Sequence, residues 1–258
     1  MDILRTRLVF PLARGRARAL RALRLREAFL AARARGARAK RRIFETFGSA
    51  RYSRPALYEM DRKLDAILDR DSGFFVEAGA ADGYTQSNTY YLERFRGWEG
   101  ILVEPMPEFA AEARRNRPAA RLFTCALVPL DYPHRSVEMD FGDLFTTVRG
   151  LHGEDSDWVM GGLVLGWRDH RVERVPARPL GDLLDEAHVT DVDLLSLDVE
   201  GYETQVLQGL DLERCAPRWI LVETLDMKTG RAAVGRVLGA RYAEHAVLSP
   251  FDVLYRRT

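Results

Sequence analysis

The chain has 258 residues, 47% of them hydrophobic, with 39 Lys and Arg against 38 Asp and Glu, which suits one sizeable α/β domain with an appendage and excludes disorder throughout. The charge is unevenly placed: residues 1–54 carry net +13 and residues 55–258 net −12, so the two parts cannot share one electrostatic job. Two cysteines, Cys125 and Cys215, are too few for a disulfide scaffold or a Cys-based zinc cluster, and no stretch approaches the roughly 20 apolar residues of a membrane-spanning helix.

In chain order, residues 12–47 form an Ala, Arg and Leu tract without proline. There Leu20, Leu23, Phe29 and Leu30 make a partial apolar stripe beside eight arginines between 16 and 38. The pattern predicts a basic amphipathic helical extension over residues 1–54, suited to an anionic membrane surface, to nucleic acid, or to docking on the acidic body. From Pro55, Leu57, Met60, Leu64, Ile67 and Leu68 recur at helical spacing and stop at Asp71-Ser72-Gly73, a turn signal. Short apolar runs at 74–78, 101–103, 122–128, 192–197 and 219–222 then read as buried strands, with helical stretches at 86–95, 107–115, 180–187 and 203–210. Strand followed by helix, repeated, predicts a mostly parallel sheet covered on both faces, in a domain spanning residues 55–258. Residues 242–248 and 252–255 flank Ser249-Pro250 with no room for a crossover helix, so they are expected to pair antiparallel at a sheet edge. The segment from Gly142 to His170 fits no strand–helix unit and reads as a long loop that covers a site or binds a partner. In it, Trp158 and Trp167 are sugar-stacking faces or core residues, and His152 and His170 are candidate bases.

The chemistry gathers at strand ends. Glu77-Ala78-Gly79-Ala80-Ala81-Asp82-Gly83 follows the first strand and precedes a helix, a nucleotide-type loop that lacks both the Gly-Lys-Ser/Thr and the G-x-G-x-x-G patterns. Glu77 and Asp82 would repel a pyrophosphate and suit an ammonium or sulfonium group, so the loop, with Gly79, Ala80 and Gly83, points to a cationic nucleoside. Glu104 ends the second strand, placed to accept both hydroxyls of a ribose or to cap the following helix. Asp198 and Glu200 follow the fourth strand at the edge where open α/β sheets line their ligand crevice, and either could take a proton or cap the helix near Tyr202. Glu223 ends the next strand and could join the same floor or bind a substrate hydroxyl. Cys125 reads as an inert small hydrophobe. No further acid or histidine stands at convincing ligand spacing, so no resident metal is expected, although the same acids offer a Mg²⁺ alternative.

Taken together, FVEAGAADGYTQSNTYYLE, ILVEPMPE, CAL, DLLSLDVEGYETQVLQGLD and WILVET resemble the FkbM-type family of S-adenosylmethionine-dependent methyltransferases, over about residues 73–256. The resemblance implies a class I Rossmann-like α/β fold, with a mostly parallel seven-stranded sheet and an antiparallel C-terminal edge. It also implies S-adenosylmethionine as cofactor and O-methylation of a sugar or polyketide hydroxyl. Position by position, Glu77, Gly79, Asp82 and Gly83 match the first cofactor motif, Glu104 the ribose-binding acid, and Asp198 and Glu200 the D-x-E-G motif. Ala80-Ala81 departs from the Ala-Asn of many members.

The expectation is therefore an O-methyltransferase acting on a hydroxyl of a glycan or glycolipid precursor in a bacterial cytoplasm, with Asp198 or Glu200 accepting the hydroxyl proton. Its basic arm would rest on the inner membrane face. The alternative is a non-catalytic Rossmann-like scaffold in a glycan-assembly complex. RNA methylation fits less well, because the acidic body opposes phosphate.

Overall fold

The computed structural model describes residues 35–141, 146–151, 171–224 and 227–258. The expected helix before residue 35, and the candidates His152, Trp158, Trp167 and His170, lie outside them. The chain divides into two compact units, Met1–Tyr52 and Ser53–Thr258. In the first, residues 35–46 are helical (α1) and the helix stops at Gly48 in the left-handed region (φ 73°). The second unit starts two residues before the composition change at Pro55. Arg54 already belongs to it: its guanidinium donates to Asp65 Oδ2 at 2.7 Å and lies 3.3 Å from the centre of the Tyr91 ring.

That unit begins with α2 (Met60–Leu68) and then alternates β1 (Phe74–Ala78), α3 (Tyr90–Phe95), β2 (Glu99–Val103), α4 (Pro107–Asn116) and β3 (Arg121–Phe123). Three further strands follow, β4 (Ala126–Leu127), β5 (Ser136–Phe141) and β6 (Thr147–Val148). After β7 (Arg171–Arg178) come α5 (Leu180–Ala187), β8 (Leu194–Leu197), α6 (Glu203–Gln208), β9 (Trp219–Glu223) and α7 (Thr229–Leu238). The hairpin β10 (Tyr242–Val247) and β11 (Asp252–Arg257) ends the chain. The seven-stranded sheet has the order β10-β11-β9-β8-β1-β2-β3, parallel from β9 to β3 and antiparallel at β11 and β10. This is the expected Rossmann-like sheet, with its order reversing between β1 and β8, the kind of switch point where such sheets open a crevice.

Side chains alternate across the sheet with period two. Val76, Ala78, Ile101, Val103, Leu195 and Leu197 pack on one face with Leu180, Leu183, Val206, Leu207, Val234 and Leu238 of α5, α6 and α7. Phe75, Leu102, Leu194 and Leu221 pack on the other face with Met60, Leu64, Leu92 and Ala113 of α2, α3 and α4. Glu77 has the parity of Phe75, so its carboxylate is directed toward the face covered by α2, α3 and α4.

The single strand expected over 122–128 is in fact two. Phe123 continues the main sheet, while Ala126 and Leu127 leave it and pair with Ala177 and Arg178 of β7, in a second sheet ordered β4-β7-β5-β6. This sheet also takes in part of the expected loop, since β6 falls within residues 142–170. Its strands are hard to read because each buries few residues: β5 hides only Val137 and Met139, and β7 only Val175 among charged neighbours and Pro176.

Candidate active site

The register of the main sheet sets five residues at one level along its carboxyl edge. Ala78 pairs with Val103 on one side and Leu197 on the other, Leu197 pairs with Val222, and Glu223 pairs with Asp252. One residue further along the parallel strands, Glu104, Gly79, Asp198 and Glu223 stand side by side at strand spacings of about 4.8 Å, with Asp252 next to Glu223. All five line one cavity of about 440 Å³. The described residues around it include Glu77, Glu104, Asp198, Glu200, Glu223 and Asp252 but no Lys, Arg or His, an electrostatic lining that favours a cationic ligand.

Gly79 divides this row, and only glycine fits there. Its φ is 80°, and an added Cβ would lie 1.8 Å from the carbonyl oxygen of Asp198. The Gly79 and Ala80 amides both donate to Val103 O, at 3.0 and 3.1 Å, so the loop folds back onto β2. Ala81 is left-handed (φ 45°), a conformation costing an alanine about 1–2 kcal/mol and suiting Asn better, which gives a physical sense to the Ala-Asn of the resembling family. Its amide donates to Glu104 Oε2 at 2.8 Å, while Met106 N donates to Oε1 at 2.8 Å. Burial pushes Glu104 up to about 7, against the two amide hydrogen bonds, with Glu108 and Asp82 adding to the rise.

Three sequence assignments change. Glu77 lines the cavity, but its carboxylate accepts from Ser87 Oγ (2.9 Å), Asn88 N (2.9 Å) and Thr89 Oγ1 (2.6 Å), and Arg117 lies 3.4 Å away. Its charge is therefore offset within the fold and orders the 87–89 segment, which weakens the argument that it attracts a cationic ligand. Asp82 and Gly83 are not among the cavity's lining residues. Asp82 instead closes a turn, accepting from the Tyr84 and Thr85 amides at 2.9 and 2.6 Å. Gly83 (φ 72°) lets the loop press against Ala113 and Arg117.

Beyond β8, neither Asp198 nor Glu200 caps α6, whose N-terminus has no side-chain cap, and the turn leading into it is held by Glu203. Its Oε1 accepts from Gly201 N at 2.9 Å and Val199 N at 3.3 Å and holds a turn in which Glu200 and Gly201 both have positive φ (55° and 96°). Asp198 and Glu200 both line the cavity. Burial drives Asp198 well above the ordinary carboxylate range, reinforced by its hydrogen bond to Glu223 and by the charges of Glu223, Glu200 and Glu203. Burial also carries Glu200 up to about 8, helped by Glu223 and Glu203. Cys125 lines the cavity as a thiol pushed up to about 11 by burial.

Several residues escaped the sequence reading. Asn88 reaches Ser196 Oγ from the 87–89 segment (3.2 Å), and Arg117 stands behind that segment with no mark in the sequence. Asp252 lies on β11, pushed up to about 6 by burial. At the mouth, Tyr58 and Phe251 face each other with ring centres 6.3 Å apart. Tyr58 sits in a strained left-handed conformation (φ 51°). Ser87, Asn88 and Thr89 did appear in a quoted motif, but nothing in the motif says which carboxylate they serve. Among the described residues, no group of three or more His, Cys, Asp or Glu is placed to hold a metal ion.

The family model described as "Methyltransferase FkbM domain" matches residues 77–239. No curated protein sequence matches the chain. Similar solved structures include a TehB-like SAM-dependent methyltransferase from Corynebacterium glutamicum, 12% identical over 88% of this chain and 99% of that one, with TM-score 0.42. An O-methyltransferase from Bacillus cereus in complex with SAH is 11% identical over 85% of this chain and 89% of that one, with TM-score 0.43. A SAM-dependent methyltransferase from Aquifex aeolicus is 10% identical over 79% and 92%, with TM-score 0.42.

Proposed function

This chain belongs to the FkbM family of S-adenosylmethionine-dependent methyltransferases, and from that premise we propose that it methylates a hydroxyl of a sugar, glycan or glycolipid precursor. The cavity's residues fit the cofactor on their own chemistry: an all-acid charged lining suits a sulfonium and an ammonium, and Glu104 presents two carboxylate oxygens for a ribose diol. Glu104 and the Gly79–Ala81 loop would hold the nucleoside, with Asp198 beside Gly79 on the reacting side. When bound, S-adenosylmethionine supplies an activated methyl carbon on a good leaving group. The protein's remaining work is to orient the acceptor, exclude water and take the hydroxyl proton.

The observation that carries the acceptor reading is the row Asp198, Glu223 and Asp252 on the far side of Gly79 from Glu104. Acids in a row can accept from several hydroxyls of one polyol, and one of them can remove a proton. Tyr58 and Phe251 at the mouth offer aromatic faces to a sugar ring. The test is transfer of labelled methyl from S-adenosylmethionine to a panel of bacterial oligosaccharides and lipid-linked sugars, with amines, catechols and RNA alongside. Label entering only non-carbohydrate acceptors would end the proposal.

Replacing Glu104 with Ala is expected to weaken cofactor binding by about 2 kcal/mol, because two charge-assisted hydrogen bonds are lost. Since Glu104 titrates near 7 and accepts best when ionised, wild-type affinity should rise from pH 6 to pH 8 and the variant's should not. Calorimetry at both pH values decides it, and an unchanged affinity would remove the ribose assignment. The net +13 of residues 1–54 is read as a contact with the anionic inner membrane face. Among the described residues no helix is long and apolar enough to cross a membrane. Full-length protein should sediment with anionic vesicles and be released by salt, and failure to sediment at low salt would remove this role.

A further inference from the structure

We propose that Tyr58 sets the acceptor specificity: with Phe251 it forms an aromatic platform at the cavity mouth, on which one pyranose ring of the acceptor stacks. The inference rests on reading the cavity as the site where a sugar hydroxyl is methylated. Both residues line the cavity, with their ring centres 6.3 Å apart and their planes at 48°. Tyr58 is 49% exposed and Phe251 39%, so neither ring belongs to the core. Phe251 stands directly before Asp252, and its carbonyl accepts from Thr224 N at 2.7 Å, one residue past Glu223. The platform therefore adjoins the Asp252 end of the row of acids, on the far side of Gly79 from Glu104. That position suits the acceptor rather than the nucleoside.

The backbone supplies the second observation. Tyr58 has φ 51° and ψ 24°, and Glu59 after it has φ 56°. Left-handed backbone is unfavourable for any residue with a Cβ, and a bulky ring there is an outlier. Burial does not compensate, since about half of Tyr58 stays in solvent. Neighbours hold the turn instead. Ala56 N donates to Oδ2 of the buried Asp61 at 3.3 Å, and Lys63 Nζ, in the first turn of α2, donates to Leu248 O at 2.5 Å. The second bond ties the helix to the turn that carries Phe251, where the Phe251 and Asp252 amides both donate to Ser249 Oγ at 3.0 Å. Strain kept in place by its surroundings beside a cavity points to function. A sugar sandwiched between two rings needs them about 7–8 Å apart, because each contact takes about 3.5–4.0 Å. At 6.3 Å the pair is closed to one, so the pyranose lies across both rings on its C–H face.

The test uses the full-length protein with S-adenosylhomocysteine bound, and methyl pyranosides of glucose, galactose, mannose and N-acetylglucosamine as probes. NMR saturation transfer from aromatic protons should reach the ring C–H groups of at least one probe, be lost in Tyr58→Gly and Phe251→Ala, and survive in Tyr58→Phe. No transfer in the wild type, transfer unchanged in Tyr58→Gly, or transfer confined to the alkyl chain of octyl glucoside overturns the platform. Thermal unfolding of the ligand-free protein gives a second reading. Tyr58→Gly should melt about 2–6 °C above Tyr58→Ala, which keeps the strain without the ring, and no lower than the wild type. A wild type that melts above Tyr58→Gly would mean that the ring holds the fold, which overturns its role as a binding device. On a carbohydrate that takes label in the panel, Tyr58→Gly should raise KM about 3–10-fold and leave kcat and cofactor affinity within about twofold. An unchanged KM there, or a matching loss of cofactor affinity, overturns this inference alone. Label entering only non-carbohydrate acceptors overturns the reading on which it rests.

Discussion

Asp198→Asn is expected to lower kcat for methyl transfer by about 10²-fold or more with cofactor affinity nearly unchanged, because a proton acceptor acts only as the new bond forms. The same change should stabilise the protein at alkaline pH. Asp198 is raised in the folded state by burial first, then by Glu223, Glu200 and Glu203. A group whose folded pKa lies above its unfolded value contributes its stability fully below the unfolded pKa and loses it as pH rises through the folded one. Asn carries no such dependence, so the Tm of the variant should pass that of the wild type as pH increases from 5 to 9. Burial likewise raises Glu200 to about 8, with Glu223 and Glu203 adding to the rise. Equal kcat in wild type and variant would sink Asp198 as the base, and a wild-type Tm flat across that range would contradict the buried acid pair.

Arg117→Met is expected to destabilise the fold by about 3–5 kcal/mol, the usual result of removing one partner from a buried ionic network. Arg117 is 1% exposed, its Nε donating to Glu93 Oε2 at 2.7 Å. Its Nη atoms reach Ser87 Oγ at 3.2 Å, Thr89 Oγ1 at 3.1 Å and Gly83 O at 3.4 Å, with Glu77 at 3.4 Å. Without it the buried carboxylates of Glu77 and Glu93 lose the guanidinium that pairs with both, and the 87–89 segment loses its backing. Urea unfolding measures the loss, and Arg117→Met with Glu93→Gln should recover part of it, because one orphaned charge goes with the arginine. A loss under about 1 kcal/mol would mean that water reaches the cluster and the network is not buried in solution. Arg117→Lys should restore little, since an ammonium cannot present the planar fork that spans Glu93, Ser87 and Thr89.

How much of this was legible in the sequence follows the range of the forces involved. FFVEA, WILVE and the helix over 180–187 could be read in place because burial on both faces writes itself as an unbroken apolar run or a helical period. The row of acids at strand ends was half legible: Glu104, Asp198 and Glu223 each close a strand, and an open sheet presents such ends to one crevice. The second sheet was not legible, because β5 and β7 bury so few side chains that charge conceals the alternation. Nor were the partners of the acids. Only the register of β8, β9 and β11 sets Asp198, Glu223 and Asp252 in one line, and only the approach of α4 to the loop after β1 brings Arg117 to Glu77, 40 residues away. The sequence by itself determined that carboxylates close several strands and which end of the sheet they occupy, since strand periodicity is local. The tertiary structure alone decided what surrounds each acid. A carboxylate's charge depends on its burial and its neighbours, and those come from elements far apart in the chain.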